Sequence, residues 1–246
     1  MKGNEDLNKG SIAVEEKTSE SESKILSTSA PVIKVKGGRI YDFFKRIFDF
    51  VCSFLAIVVL GIPMLIIGLI VKITSKGPVF YKDKRIGRNG KSITVLKFRS
   101  MHKDAEKRIK EFLSQEDYER WLIERKLDKD PRITKFGKFL RRTSLDELPQ
   151  LFNIFVGQMS FVGPRPVIER ELTDNYTEEE IRILLLARPG LTGYWQVYAR
   201  GNANYASKKR QAMELEYFKH RGFWFDIGLI FKTIPVVLKK DESKQL

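Results

Sequence analysis

An uncharged run of 21 residues, 51–71, constrains this chain more than any other feature. Its length is about what a helix needs to cross the hydrocarbon core of a bilayer. Lys45 and Arg46 precede the run and Lys72 follows it, so positive charge, the mark of the cytoplasmic side, flanks both ends. Pro63 lies near the middle, where a proline kinks a helix. The pattern predicts a membrane helix and leaves two topologies open, re-entry into the same face and a kinked span.

The chain is strongly basic, with 45 lysines and arginines against 31 acidic residues and a net charge of +14. Residues 1–39 supply only +1, because seven basic residues there meet six acidic ones. Their polar composition without an apolar period predicts a disordered tail. The other +13 indicates an anionic partner, and the apolar run favours membrane lipid over nucleic acid. With one cysteine, Cys52, and two histidines, the chain excludes an intrachain disulfide and offers no zinc spacing.

The rest of the chain predicts an α/β fold that is mostly helical. Residues 79–101 alternate apolar and polar positions around Asn89-Gly90, which is a strong β-hairpin signal. Thr177 and Glu180 form a capping-box pattern at the start of one helix. Helical patterns cover residues 103–127, 145–156, 177–187, 205–220 and 223–238. The last segment, aromatic and apolar, either lies at a membrane interface or packs into the core.

The densest candidate site is the carboxylate pair Asp146-Glu147, which follows two arginines. One explanation is structural: Ser144 and Glu147 form a capping box that opens a helix. Pro149 counts against it, because as the fifth helical residue its missing N–H would leave a carbonyl unpaired. The other explanation starts the helix nearer Asp146, at an electropositive helix end that keeps a carboxylate ionised. The pair is then available for catalysis, and the sequence alone leaves both explanations open.

Arginines also lie in stiff loops rich in glycine and proline. Arg165 lies between two prolines in the segment Ser160–Pro166, and Arg188 and Arg200 bracket a second such segment. A guanidinium matches phosphate oxygens bidentately, so an arginine aimed by a stiff loop suits phosphate recognition. Together with the carboxylate pair, these loops predict a polyanionic substrate handled with a metal.

From about Tyr41 to Lys239 the chain resembles the bacterial sugar transferase family, the monotopic polyprenyl phosphate phosphoglycosyl transferases. The motifs that carry the resemblance are Lys45-Arg-Ile-Phe-Asp49, Gly77-Pro-Val-Phe80, Leu96-Lys-Phe-Arg-Ser-Met101, Ser144-Leu-Asp-Glu-Leu148, Ser160-Phe-Val-Gly-Pro-Arg-Pro166 and Arg188-Pro-Gly-Leu-Thr-Gly193. One departure concerns the helix break, which usually has Ser-Pro in the family, whereas here it is Gly61-Ile62-Pro63.

The resemblance implies a domain organisation. After the disordered tail that composition predicts over 1–39, it places a single re-entrant membrane helix over 40–76 and a compact catalytic domain over 77–240. The catalytic domain would lie at the cytoplasmic face of the cell membrane. The resemblance thereby favours re-entry over a kinked span.

The resemblance also implies a reaction and its residues. A sugar 1-phosphate passes from a uridine diphosphate-sugar to polyprenyl (undecaprenyl) phosphate, which initiates capsule, exopolysaccharide or glycan assembly. Asp146 is the nucleophile, which would carry an aspartyl phosphosugar intermediate, and Glu147 is its acid/base or metal partner. Mg²⁺ would bind at these two carboxylates. The implied phosphate-binding residues are Lys97, Arg141, Arg165 and Arg200.

A second class of function remains possible on the residues alone. A basic, membrane-bound interaction protein of a polysaccharide assembly complex would also have the charge and the apolar helix. It would not require the Asp146-Glu147 pair in an arginine-rich frame. The sequence leaves open the sugar, the oligomeric state, and the roles of the tail and of segment 103–130.

Overall fold

The structure is a computed structural model. It describes residues 34–105, 108–124, 127, 130–199, 205 and 207–238. The predicted disordered tail therefore lies outside the described residues up to residue 33. From Val35 to Gly38 the backbone is non-helical, and Lys36 donates its N–H to the carbonyl of Phe218 at 2.8 Å. At least one backbone contact with the folded domain thus lies before the predicted end of the tail.

The apolar run forms the middle of helix α1, Arg39–Thr74, which has 36 residues and is about 54 Å long. The helical assignment continues without a gap through Pro63. Among the described residues, α1 is the one helix long and apolar enough to cross a membrane. This agrees with the predicted membrane-embedded segment at 40–76.

Helix α1 has two different faces along most of its length. One face packs against the folded domain through the buried residues Asp49, Ser53, Met64, Gly68 and Val71, which recur at helical spacing. The opposite face exposes large apolar side chains from end to end: Phe43, Phe44, Ile47, Phe54, Leu55, Val58, Ile62, Leu65, Ile66, Leu69 and Ile73. An apolar surface of this extent marks a site of membrane or protein contact.

Polar contacts near its N-terminus join α1 to the domain. Arg46 donates to the carbonyls of Ile154 and Phe155 at 2.8 and 2.7 Å. The buried Asp49 accepts from Ser160 Oγ and from the N–H of Phe161, each at 3.1 Å. The Lys45-Arg-Ile-Phe-Asp49 motif therefore fixes the position of the helix on the domain.

The predicted hairpin is confirmed. Strands β1 (Phe80–Ile86) and β2 (Ser92–Phe98) pair antiparallel, with Phe80 opposite Phe98 and Ile86 opposite Ser92. In the turn Asn89 and Gly90 both have positive φ, 57° and 72°, which explains the Asn-Gly pair.

The five predicted helical segments are also observed, with adjusted ends. Segment 103–127 contains a pair, α2 (Ile109–Phe112) and α3 (Gln115–Glu124), with a small core of Ile109, Leu113 and Leu127. Segment 145–156 contains a 3₁₀ turn, Leu145–Glu147, and a short helix. In chain order the remaining helices are α4 (Lys135–Thr143), α5 (Gln150–Phe155), α6 (Glu169–Asn175), α7 (Glu178–Leu184), α8 (Tyr194–Tyr198), α9 (Lys209–His220) and α10 (Phe223–Leu238). Helix α7 opens with the predicted capping box of Thr177 and Glu180.

Two short strands were not predicted. Strand β3 (Ser160–Val162) pairs in parallel with β4 (Gly190–Thr192). A Cβ added to Gly163, Gly190 or Gly193 would overlap backbone atoms of the neighbouring segment. These glycines allow the two arginine-bearing loops that follow β3 and precede β4 to lie side by side.

One hydrophobic core joins the hairpin, two helices and α1. Its buried members are Met64, Val71, Ile93, Val95, Phe98, Leu140, Leu151, Ile154 and Met159. The fold is thus mostly helical with a β-hairpin, as predicted, and α1 contributes side chains to the same core as the hairpin, α4 and α5.

We predict that Gly137→Ala destabilises the protein, because the new Cβ would overlap the backbone carbonyl oxygen of Ser100. We expect the free energy of unfolding to fall by about 2 kcal/mol or more, as for other overpacked sites. Gly228→Ala in α10 is the control, since its Cβ meets nothing within 4 Å and alanine favours a helix. Denaturant unfolding in detergent measures both; equal stability of the two variants would show that the close approach of α4 to Ser100 is wrong.

Candidate active site

Helix α4 brings Arg141 to the end of strand β2. Thr134 caps this helix, with its hydroxyl accepting the N–H of Gly137 at 2.9 Å. Near the C-terminal end of the same helix, Arg141 Nε donates to Ser100 Oγ at 2.8 Å. Desolvation lowers the pKa of Arg141, and the nearby negative charge of Asp146 opposes that shift. Arg141 and Asp146 therefore lie within electrostatic reach of each other.

The turn before Asp146 differs from the capping box, the first of the two explanations that the sequence left open. Ser144 ends α4 in the left-handed region, with φ 56° and ψ 16°, and makes no side-chain cap bond. A capping residue needs extended backbone angles for its hydroxyl to reach the helix N–H groups, so this conformation rules the box out. Glu147 instead donates its N–H to the Ser144 carbonyl at 3.1 Å. A left-handed serine costs of order 1–3 kcal/mol, a kind of strain that clusters at functional sites.

The alternative prediction, a helix that starts later, is closer to the structure. Pro149 has helical angles, φ −60° and ψ −16°, and directly precedes α5. There its missing N–H costs nothing, because the first helical turn has no carbonyl to receive it. Asp146 and Glu147 consequently occupy the 3₁₀ turn before α5, and both keep part of their surface exposed. The carboxylate pair is accessible to a substrate.

Lys97 reaches this turn from strand β2. Its Nζ lies 3.5 Å from Glu147 Oε1, and both side chains are partly exposed. An ion pair of this length and exposure contributes little to stability, so its ammonium and carboxylate can exchange partners when a charged ligand binds. The structure thus brings Lys97, Arg141, Asp146 and Glu147 together.

Arg165 approaches the same turn from the loop after β3. Its guanidinium lies 5.5 Å from the centre of the Trp195 ring. Although the residue keeps an exposed part, desolvation and the charge of Arg210 lower its pKa, while the negative charge of Glu147 raises it. Arg165 and Glu147 therefore interact electrostatically across the site.

Two residues near Arg165 were missed by the sequence analysis. Arg210 and Glu214 lie one helical turn apart on α9, where charges usually face solvent. Here Glu214 is 2% exposed and its carboxylate accepts the backbone N–H of Arg165. Arg210 lies 4.7 Å from the Trp195 ring and 4.0 Å from the Tyr205 ring. Sequence spacing within one helix carries no signal for a partner from a distant loop.

The other two loop arginines of the sequence analysis are Arg188 and Arg200. Arg188 donates its Nε to the carbonyl of Gly157 at 2.8 Å, a contact that supports the turn between α5 and β3. The predicted phosphate-binding residue Arg200 lies outside the described residues, so its role stays a prediction.

The predicted metal ligands form a small set. Among the described residues no group of three or more His, Cys, Asp and Glu side chains is placed to hold a metal ion. Mg²⁺ is often bound by only one or two carboxylates, with substrate phosphates and water completing its shell. The adjacent, accessible carboxylates of Asp146 and Glu147 fit an ion that binds together with a diphosphate substrate.

Residues 40–240 match the family model described as bacterial sugar transferase. The chain belongs to the bacterial sugar transferase family. The resemblance in the sequence motifs is thereby confirmed, and the family's Lys45–Asp49, Ser144–Leu148 and Ser160–Pro166 motifs have distinct places in the structure. The first joins α1 to the domain, the second contains the carboxylate pair, and the third carries Arg165.

Three relatives illustrate the family. The chain is 44% identical over 202 residues to "Undecaprenyl-phosphate galactose phosphotransferase" of Salmonella typhimurium, which covers 81% of this chain and 41% of that protein. It is 43% identical over 195 residues to "Exopolysaccharide production protein ExoY" of Rhizobium meliloti, a match that covers 78% of this chain and 84% of that protein. It is 37% identical over 199 residues to "UDP-glucose:undecaprenyl-phosphate glucose-1-phosphate transferase" of Escherichia coli, a match that covers 77% of this chain and 39% of that protein. The chain thus spans under half of two relatives and most of the third.

We predict that Glu214 makes stability depend on pH. Burial raises the pKa of its carboxyl from 4.5 to about 7, so between these values the folded protein holds a proton that the unfolded chain has lost. The free energy of unfolding should therefore fall as pH rises from about 4.5 to 7, by at most about 3 kcal/mol. Glu214→Gln should remove this contribution and gain stability relative to the wild type between pH 5 and pH 8.

Glu216→Gln on the same helix is the control. Hydrogen bonding from Lys219 lowers the pKa of the Glu216 carboxyl, so its contribution to stability is present at neutral pH and is lost as pH falls. Denaturant unfolding at pH 5 and pH 8 compares the variants. A Glu214→Gln difference that stays constant over this range would show that Glu214 does not titrate there.

Proposed function

We propose that this protein transfers a sugar 1-phosphate from a uridine diphosphate-sugar to polyprenyl phosphate of the undecaprenyl type. The product would initiate capsule, exopolysaccharide or glycan assembly. The observation that carries the proposal is the accessible pair Asp146-Glu147 on one turn, with Lys97, Arg141 and Arg165 around it. Three cations around two carboxylates suit a reaction in which a phosphate approaches a carboxylate nucleophile.

The names of the relatives support this reaction. Two of them name undecaprenyl phosphate and the transfer of a sugar with its phosphate, and one names exopolysaccharide production. They agree with a polyprenyl phosphate phosphoglycosyl transferase. The non-enzymatic alternative, a basic interaction protein at the membrane, gives no reason for a partly exposed carboxylate pair next to three cations.

Covalent catalysis by Asp146 accounts for the arrangement. A carboxylate oxygen of Asp146 attacks the sugar-bearing phosphorus of the donor and forms a new O–P bond. The bond from that phosphorus to the bridging oxygen breaks, and nucleoside monophosphate leaves with the electron pair. An oxygen of polyprenyl phosphate then attacks the same phosphorus. The bond to Asp146 breaks, which releases polyprenyl diphosphate-sugar and restores the carboxylate.

The surrounding cations have distinct roles in this scheme. Arg141 stabilises the ionised form of Asp146, which is the nucleophilic form. Lys97, held loosely by Glu147, and Arg165 neutralise the phosphate oxygens as they approach. Mg²⁺, held by Asp146 and Glu147, would supply further neutralisation of the donor diphosphate.

A lipid acceptor suits the position of the site beside α1. Phe98, the neighbour of Lys97, packs near Gly68 in the C-terminal half of this helix. The phosphate of a membrane-bound carrier would thus meet the cations at the edge of the lipid-facing surface. The soluble donor and the lipid acceptor can use one small site in turn, because the covalent intermediate separates the two steps.

We further propose that α1 re-enters the membrane, with the domain on the cytoplasmic face. Arg46 and Asp49 near its start and Gly68 and Val71 near its end all contact the same folded domain. Both flanks are positively charged, which favours the cytoplasmic side for each. On α10, Trp224 is 81% exposed and Phe231 is 67% exposed, so this helix offers a second apolar surface to the lipid interface.

We predict that Asp146→Asn abolishes turnover, since the nearly isosteric amide removes the nucleophilic charge. The rate of nucleoside monophosphate release with uridine diphosphate-sugar and polyprenyl phosphate should fall by about three orders of magnitude or more. A screen of donor sugars identifies the substrate for this assay. Asp174→Asn is the control, because that exposed carboxylate forms an ion pair with Arg170 on the surface of α6. Turnover near the wild-type rate in Asp146→Asn would rule out this mechanism.

We predict that tags placed at residue 2 and residue 246 both resist protease added outside intact cells. Both ends would lie in the cytoplasm if α1 re-enters the membrane. Pro63→Ala should straighten the helix and favour a spanning orientation. Digestion of the N-terminal tag alone in the wild-type protein would identify a plain spanning helix and contradict re-entry.

A further inference from the structure

We infer that Glu214 is a positioning residue whose buried carboxylate fixes the Pro164-Arg165-Pro166 backbone and thereby aims the Arg165 guanidinium at the donor phosphates. The inference rests on the proposed function, because that function gives Arg165 its ligand. Glu214 lies 49 positions from Arg165 on helix α9, and none of the sequence motifs contains it.

The backbone of this loop has an unusual shortage of donors. Pro164 and Pro166 have no N–H, so Arg165 supplies the single backbone donor of the tripeptide. That N–H lies 3.3 and 3.2 Å from the two carboxylate oxygens of Glu214. On the other side, the carbonyl of Pro164 accepts the N–H of Gly190 at 2.8 Å. The loop is therefore held between β4 and α9, with Glu214 providing the hold on the α9 side.

The position of Glu214 is costly for a carboxylate. It is 2% exposed, and burial of an ionised group is unfavourable unless it has partners. A purely structural contact to one N–H needs only a neutral acceptor. An ionised carboxylate also interacts electrostatically with the positive charge of Arg165, which a neutral acceptor would not do.

The charges around Glu214 come from three elements. Arg165 faces it from the loop after β3, and Arg210 from the preceding turn of α9. Glu171 and Tyr176 face it from α6 and its C-terminal end. Burial raises the pKa of Glu214 to about 7, against the lowering effects of Arg210 and Arg165. Ionisation of this carboxyl near neutral pH therefore changes the negative charge that acts on Arg165.

Arg210 has its own aromatic surroundings. Its guanidinium lies between the rings of Trp195 and Tyr205, and its Nη2 is 3.9 Å from Glu171 Oε1. Arg165 is farther from the same Trp195 ring, at 5.5 Å. Arg210 thus occupies the closer position on the indole, while the negative charge of Glu147 acts on Arg165.

A double-mutant cycle on the full-length protein tests the inference. The variants are Glu214→Ala, Arg165→Ala, the double variant, and Glu216→Ala as the matched control from the same helix. Initial rates of nucleoside monophosphate release at saturating polyprenyl phosphate give kcat and KM for the donor. We expect kcat/KM to fall about 100-fold in Arg165→Ala, as when one preorganised donor to a transition state is removed. Glu214→Ala should lose about 10-fold, and the double variant should match Arg165→Ala within about 2-fold.

The reason for this non-additivity is that Glu214 acts through Arg165. Once the guanidinium is gone, its direction no longer matters. Losses that multiply in the double variant would show an independent structural role for Glu214 and overturn the inference. Wild-type kinetics in Glu214→Ala alone, with Arg165→Ala impaired, would also overturn it and leave the proposed function intact. Wild-type kinetics in both single variants would instead remove Arg165 from the site, and Glu216→Ala should match the wild type throughout.

Glu214→Gln provides a second arm, which also decides the matter if Glu214→Ala does not fold. Its amide oxygen can accept the same N–H, but it carries no charge. We expect donor kcat/KM of the wild type to change between pH 6 and pH 8, and this change to flatten in Glu214→Gln. Identical pH profiles for the two proteins would show that the charge of Glu214 does not act on Arg165.

Discussion

The architecture depends on the docking of one long apolar helix to the domain that carries the chemistry. Arg46 of α1 binds the last carbonyls of α5, and Asp49 binds the start of β3. Charge-assisted bonds of this kind, largely shielded from water, fix register more firmly than apolar packing, which tolerates sliding. The turn with Asp146 directly precedes α5. The C-terminal end of α5 therefore holds α1, the helix that would meet the lipid. The N-terminal end of α5 follows the turn with Asp146, the proposed nucleophile.

Local backbone geometry then assembles the site from distant parts of the chain. The left-handed Ser144 ends α4 and lets Asp146 and Glu147 begin a new turn beside Lys97. Close backbone approach at the glycines of the β3–β4 pair brings the Arg165 loop to the same place. Each cation thus comes from a different element. Several positive charges can therefore lie close together in the site although they are far apart in the sequence.

The sequence predicted features whose signal is local or periodic. The hairpin followed from alternation and Asn89-Gly90, and α1 followed from an uninterrupted apolar run. The pair Asp146-Glu147 was a candidate from the residues themselves, whereas Lys97 and Arg141 were named as phosphate-binding residues through the family resemblance; the structure brings all four together. Three-residue strands show no period, so β3 and β4 were missed. The sequence left open whether Ser144 is a cap, because tertiary packing, rather than local preference, fixes its left-handed angles. The contact of Glu214 with Arg165 joins segments 49 residues apart, for which one sequence has no signal.

The central claim is that Asp146 becomes covalently bonded to the sugar phosphate. Incubation of the protein with its donor and no polyprenyl phosphate, followed by intact-mass and peptide mass spectrometry, tests it most directly. The account predicts a mass increase of one sugar phosphate, located on Asp146, with release of one equivalent of nucleoside monophosphate. An adduct on another residue, or nucleotide release that requires the acceptor, would contradict it.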